Sequence, residues 1–142
     1  MSKRKASEDI EGEDHPIFSF LHNKKYKGLP EILKILDDIH IINQYKSGIL
    51  HYAVWSGNND CIKFIIEKGG DPNIRNFIEE TPLMWAVRRL DIDNIKYLLN
   101  NGADPTLKNY FNEEIFTMIG SWIMFPSPEK VENIKLLLKK YI

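Results

Sequence analysis

The chain has 142 residues, a formal net charge of −1, 43% hydrophobic residues and a single cysteine, Cys61. That length suits one domain with a modest core, and the near-neutral charge gives no bulk attraction to nucleic acid or anionic membrane. One cysteine excludes an intrachain disulfide and suits a reducing compartment, and no apolar run approaches the roughly 20 residues that cross a bilayer.

The amino terminus, Met1-Ser2-Lys3-Arg4-Lys5, runs into acidic residues rather than an apolar signal region, so secretion is not indicated. Residues 1–14 are polar and aperiodic, and read as a disordered tail. Lys3-Arg4-Lys5 is too short a basic run to stand as an import signal and reads as solvated charge.

From His15 onward the chain repeats itself. A step of 33 residues carries Ile49-Leu50-His51-Tyr52-Ala53-Val54 onto Pro82-Leu83-Met84-Trp85-Ala86-Val87. It also carries Gly69-Gly70-Asp71-Pro72-Asn73 onto Gly102-Ala103-Asp104-Pro105-Thr106. The same step places Leu29, Ile32 and Leu33 under Ile62, Ile65 and Ile66, and these under Ile95, Leu98 and Leu99. Spacing of i, i+3, i+4 is one apolar stripe of a helix. A fixed period of this size marks stacked supersecondary units rather than a closed globule.

Each unit reads as helix, short turn, helix and extended finger. Pro30 fits the opening turn of its unit's second helix, where a missing N–H costs nothing. Thr81-Pro82 starts a first helix with a hydroxyl cap and a proline at the first helical position. Gly57 separates two helices by turning through φ > 0. Its counterpart is Leu90, which costs about 1 kcal/mol if the same backbone is kept. Gly69 and Gly102 end second helices as left-handed residues. Asn43, Asn76 and Asn109 recur at finger starts, where asparagine bonds its own backbone. Lys46, Glu79 and Asn112 stand where finger turns call for glycine, which leaves the turn geometry open.

The fourth unit is less regular. Glu114-Ile115-Phe116-Thr117-Met118-Ile119-Gly120 takes the place of a first helix. Asn133-Ile134-Lys135-Leu136-Leu137-Leu138 repeats Asn94-Ile95-Lys96-Tyr97-Leu98-Leu99 after 39 residues, so six extra residues fall around Met124-Phe125-Pro126-Ser127-Pro128-Glu129. Lys139-Lys140 suits the polar outer face of a terminal cap.

These residues resemble the ankyrin-repeat family. Its Thr-Pro-Leu-His-x-Ala signature and thirty-three-residue period appear as Thr81-Pro82-Leu83-Met84-Trp85-Ala86 and Gly48-Ile49-Leu50-His51-Tyr52-Ala53. Its Gly-Ala-Asp-x-Asn appears as Gly69-Gly70-Asp71-Pro72-Asn73 and Gly102-Ala103-Asp104-Pro105-Thr106. The resemblance implies an all-α solenoid of about four helix-turn-helix repeats with β-hairpin-like finger loops. The repeats fall at 15–47, 48–80, 81–113 and 114–142. Few neighbour interfaces in so short a stack imply modest stability.

No catalytic constellation stands out. His15, His22, His40 and His51 occupy unrelated positions and have no partners at metal spacing. His51 fills the signature histidine, whose role is structural hydrogen bonding. Cys61 reads as a packing residue. Asp37-Asp38, Asp91 and Asp93 read as caps or solvated charge, and Gly69-Gly70 is a helix terminus rather than a phosphate loop. No cofactor or metal is implied.

In the resembled family, partners dock on a concave face made by finger tips and first helices. Carried over position by position, that implies Tyr45, Phe77, Ile78, Tyr110 and Phe111 at the tips, where solvent-facing aromatics make binding anchors. At the ends of first helices the matching positions are His22-Asn23, Trp55-Ser56, Arg88-Arg89 and, loosely, Ser121-Trp122. Trp55, Arg88 and Arg89, with Arg75 and Lys108 at the finger bases, would form an aromatic and basic patch for an acidic or mixed peptide surface. Tyr52 and Trp85, one turn earlier, read as core. The function implied is non-enzymatic protein binding by an intracellular monomer in cytoplasm or nucleus, with no membrane partner. Nucleic acid could bind only through the tail and Arg75, Arg88 and Arg89. The chain also resembles small free-standing ankyrin proteins of large DNA viruses, themselves similar to the cytoplasmic inhibitor of Rel-class transcription factors. A bacterial effector, or an adaptor subunit of a permanent complex, fits as well.

Overall fold

The computed structural model describes residues 40, 42 and 46–142. The expected tail, Pro30, the stripe Leu29, Ile32 and Leu33, Asp37-Asp38, His15, His22, Asn23, Asn43, Gln44 and Tyr45 lie outside the described residues.

Six helices follow in the described part: α1 (Ile49–Ser56), α2 (Asn59–Glu67), α3 (Pro82–Arg88), α4 (Ile92–Asn100), α5 (Ile115–Met118) and α6 (Pro128–Lys139). They pair as α1 with α2 and α3 with α4, while α1 touches α3, α3 touches α5, and α4 touches α6. One row is therefore α1–α3–α5, and α2, α4 and α6 are the second helices behind it. No strand occurs among the described residues, and one isolated antiparallel bridge joins Ile42 to Gly48.

The helix starts follow from local chemistry. Thr81 Oγ1 accepts the Met84 N–H at 3.4 Å, with Pro82 in the first turn of α3. Asn58 Oδ1 accepts from Cys61 N–H at 3.1 Å, Asp91 Oδ1 from Asn94 N–H at 3.4 Å, and Ser127 Oγ from Lys130 N–H at 3.5 Å. Each satisfies one of the amides a helix start leaves without an internal partner. Glycine at 48 cannot cap α1 with a side chain. There the Gly48 N–H donates instead to His51 Nδ1 at 3.2 Å.

The helix ends share one device. Gly70 N–H bonds Ile65 O at 2.9 Å and Gly69 N–H bonds Ile66 O at 3.0 Å, with Gly69 at φ +92°. Ala103 and Gly102 repeat this on Leu98 and Leu99. The pattern is a Schellman closure, which consumes the last carbonyls. Asn58 and Gly57 close α1 the same way on Ala53 and Val54, and Asp91 and Leu90 close α3 on Ala86 and Val87.

Leu90 keeps the backbone of its glycine counterpart, at φ +57°. The left-handed conformation costs about 1 kcal/mol, but the Leu90 side chain is 92% buried, being 8% exposed, and such burial is worth about 2 kcal/mol. Burial outweighs strain. The finger turns resolve likewise: Lys46, Glu79 and Asn112 all hold φ between 57° and 61°, so the turn survives without glycine.

Asn76 and Asn109 explain how. The Asn76 Oδ1 accepts from Ile78 N–H at 3.1 Å and Glu80 N–H at 2.9 Å, and Asn109 Oδ1 does the same for Phe111 and Glu113 at 3.0 Å each. Both asparagines are buried, so their amides must be satisfied and the turn is pinned around them.

The core runs between the two rows. Leu50, Ala53 and Val54 of α1 and Leu83, Ala86 and Val87 of α3 are buried against Ile62 and Ile65 of α2 and Ile95 and Leu98 of α4. Ile115, Met118, Ile134 and Leu138 extend it into the last helices. Ala53 and Ala86 have 0% exposure, and their small side chains let α1 and α3 approach closely. Among the described residues the stripe deduced from the repeat is thus the buried face, apart from Ile66, which is only half-buried.

The irregular fourth unit begins with a helix of four residues, α5. Gly120 closes it at φ +71°, and a Cβ there would stand 2.9 Å from Pro126 Cβ and 3.3 Å from Leu90 Cδ2. Glutamate at 79 and glycine at 120 therefore make opposite predictions. Glu79→Gly relieves an exposed left-handed residue and should raise stability by about 0.5–1 kcal/mol, whereas Gly120→Ala should lower it by about 2 kcal/mol. Urea midpoints of the two variants that moved in the same direction would refute this account of the turns.

Candidate functional site

The site grows out of one buried carboxylate. Glu80 ends a finger and precedes the Thr81 cap, so its side chain lies beside the start of α3. Glu80 Oε2 accepts the Trp85 indole N–H at 2.9 Å, and Oε1 accepts from Arg88 Nη2. The Glu80 side chain is 7% exposed and that of Arg88 16%. Charges so far from water persist only when each is paired and hydrogen-bonded.

Arg88 does more than pair. Its Nη1 donates to Ser121 Oγ at 3.2 Å, and its guanidinium lies 5.5 Å from the Trp122 ring centroid. Ser121 is one repeat step beyond Arg88, just as Lys108 is one step beyond Arg75. Arg75 Nη2 donates to the Lys108 carbonyl and Nε to the Glu79 carbonyl at 3.3 Å. Both arginines therefore tie equivalent positions of successive repeats together.

Three tryptophans meet on this face. Trp55 and Trp85 ring centroids are 6.3 Å apart, Trp55 and Trp122 4.9 Å, and Trp85 and Trp122 5.5 Å, all edge-on. Edge-to-face packing is the favoured aromatic geometry and adds about 0.5–1.5 kcal/mol per pair beyond area. Tyr52 and His51 also approach Trp85, at 6.0 and 5.0 Å.

The finger tips are separate. Phe77, Tyr110 and Phe111 are 57%, 71% and 64% exposed, and the Tyr110 and Phe111 rings stand 5.5 Å apart. Ile78 is half-buried, and its carbonyl accepts the Tyr110 N–H at 2.8 Å, which joins the two fingers through their backbones.

Sequence reasoning and structure part company in several places. Arg88 and Arg89, expected as one basic pair, diverge: Arg88 turns to Glu80 and Trp122, while Arg89 Nη2 lies against Gly57 between α1 and α2. Arg75 reaches the fingers and an exposed carboxylate, Glu79, at 3.7 Å, and Lys108 pairs with Glu114 at 3.2 Å. Trp85, read as core, does pack against it half-buried but also donates to Glu80 and joins the aromatic cluster. Glu80 itself was missed. Its signal was weak: the equivalent positions are Ser47 and Glu113, both polar, and Glu113 likewise binds its finger asparagine, through Asn109 Nδ2 at 2.7 Å.

His51 takes the structural role expected of it. Its Nε2 lies 2.8 Å from the Glu80 carbonyl while Nδ1 accepts from Gly48. Nε2 therefore carries the proton, and Nδ1 is lone-pair only. Burial holds the imidazole pKa down at about 4 from its usual 6.5, against a smaller upward pull from the Glu80 carbonyl. Among the described residues no cluster of three metal-ligating side chains occurs, and no helix is long and apolar enough to cross a membrane.

The family described as "Ankyrin repeats (3 copies)" matches residues 21–109, more than half of the chain. The protein belongs to the ankyrin-repeat family. It is 31% identical over 78 residues to the human "Transient receptor potential cation channel subfamily A member 1". The match takes in 51% of this chain but 7% of the channel, so the chain spans a small fraction of that protein's length. Ankyrin repeats generally mediate protein–protein interaction.

The His51 geometry sets a pH dependence. The unfolded chain takes up the imidazole proton near its usual 6.5 and the folded chain only near 4, so stability is full above 6.5 and falls as pH drops. The loss should be about 2 kcal/mol from about pH 7 to about pH 5. Urea melts of wild type and His51→Gln at the two pH values check it: the variant should lack this component, and an equal pH response in both would disprove it.

Proposed function

We propose that this protein is a non-enzymatic binding module, whose partner protein docks on the finger tips and the first-helix row. The observation that carries it is the exposure of Phe77, Tyr110 and Phe111 on two backbone-joined fingers. Large apolar side chains exposed together on one surface mark an interaction site, and rigid aromatics are enriched among the anchors of protein interfaces. Tyr45 and Ile78 extend that row in sequence, and Trp55, Arg75, Arg88 and Arg89 complete the proposed surface. Arg75 and Arg88 each face a carboxylate, which favours a protein partner over a nucleic-acid backbone needing several uncompensated cations.

The proposed array takes residues 15–142 as four repeats after a tail at 1–14. It acts as an intracellular monomer, by occlusion or bridging, without cofactor. The narrower role of a viral inhibitor that holds a Rel-class transcription factor is supported by resemblance alone. It is tested by direct binding to such a factor's dimerisation region. The opposing role of an adaptor in a permanent complex would show as dissociation over hours rather than minutes.

Affinity capture from cell lysate compares wild type with a Phe77→Ala, Tyr110→Ala, Phe111→Ala variant. Wild type should retain proteins that the variant loses by about tenfold or more. Equal recovery from both would remove the finger tips from the interface.

A further inference from the structure

The three tryptophans do not come from three equivalent positions. Trp55 lies on α1 and Trp85 on α3, but Trp122 belongs to the loop beyond α5. Its ring is nonetheless closer to Trp55, at 4.9 Å, than Trp85 is, at 6.3 Å. A side chain from the fourth unit thus reaches past α3 to the second unit. This loop is also where the fourth repeat carries its six extra residues.

The segment is seated as a bound peptide would be. Gly120 N–H donates to Val87 O at 2.9 Å and Trp122 N–H to Arg88 O at 3.3 Å. These are carbonyls at the carboxy-terminal end of α3: Val87 O takes Gly120 in addition to Leu90 N–H at 3.2 Å, and Arg88 O is among the last carbonyls, which have no partner within the helix. Ser121 Oγ accepts from Arg88, and the Trp122 ring fills the space beside Trp55 and Trp85 with Arg88 against it. Beyond it the chain leaves the surface: Met124 and Phe125 are each 86% exposed. Trp122 itself remains 40% exposed, whereas Trp55 and Trp85 are half-buried. The strap covers the face while being weakly embedded in it.

We propose that residues 120–126 form an intramolecular strap occupying the first-helix face, and that a partner displaces it. The displacing segment has the strap's own chemistry: a peptide turn, closed in the strap by Ile123 N–H on Gly120 O at 2.9 Å, with an aromatic side chain for the Trp55–Trp85 seat, preceded by a hydroxyl or carboxylate residue that accepts from Arg88. This rests on the reading of that face as a binding surface. A tethered strap acts at an effective concentration on the order of millimolar, so it screens out weak ligands and admits those that match its contacts more closely. Proline at 126 and 128 stiffens the far end, and glycine at 120 supplies the hinge, at φ +71°.

The test uses a synthetic peptide with blocked ends that copies this chain's residues 119–125, titrated into the full chain by calorimetry. Trp122→Ala should bind it about tenfold or more tightly than wild type, because the competing ring is gone. Adding Trp55→Ala should abolish that gain, and a peptide with alanine for its tryptophan should not bind. Equal affinity for wild type and Trp122→Ala, or no binding to a Trp122→Ala chain with native circular dichroism, overturns the strap. Should Trp122→Ala unfold, Trp122→Leu carries the same comparison; loss of fold in both makes the ring a core residue and also overturns it. The finger-tip variant is absent from this experiment, so its failure leaves the finger-tip reading standing, and equal lysate capture there would leave this result untouched.

Discussion

Glu80 joins a finger, two first helices and an arginine of the aromatic face. Its amide is held by Asn76 at the base of a finger, and its carbonyl faces His51 in α1. Its carboxylate binds Trp85 and Arg88. One residue thus couples a finger turn, two first helices and, through Arg88, the loop of the fourth unit. Both carboxylate oxygens are taken, although Arg88 Nε is buried without a hydrogen-bond partner. A carboxylate at 7% exposure left without its arginine costs about 3–5 kcal/mol, so the aromatic face and the finger geometry stand or fall together.

Through this interlock, side chains of the proposed surface also hold the stack. Arg75 and Arg88 each reach across one repeat step, to Lys108 and Ser121. Asn73 also bridges successive repeats. Its Nδ2 donates to Gly102 O at 2.9 Å and its Oδ1 accepts from Asp104 N–H at 2.7 Å. In a linear array each unit is stabilised only by its neighbours, and these polar bridges supplement the apolar contact between rows. The large apolar side chains that stay exposed are the tips Phe77, Tyr110 and Phe111, and Met124 and Phe125 in the loop beyond Trp122.

Non-glycine residues at left-handed positions show how far the fold can bend its local rules. Leu90 recovers its strain by burial, whereas Lys46, Glu79 and Asn112 are exposed. For the last two the compensation is next door, in an asparagine that takes two backbone amides at once. The turn is imposed by the buried amide rather than chosen by the residue at its apex.

The sequence by itself determined the period, the helix pairs, the caps at Thr81 and Asp91, the glycine stops and the finger asparagines. Each is a short-range matter of propensity and hydrogen bonding within about six residues, repeated often enough to be legible. The exposure of the finger-tip aromatics follows from the same register. Only the tertiary structure decided that Arg88 and Arg89 part company, that Glu80 is the buried anchor, and that Trp122 lies against Trp55. Their partners range from 5 and 8 residues away (Glu80 with Trp85 and Arg88) to 67 (Trp122 with Trp55), and which side chain turns to which is settled by packing. They also hang on an irregular loop whose six extra residues break the register from which everything else was read.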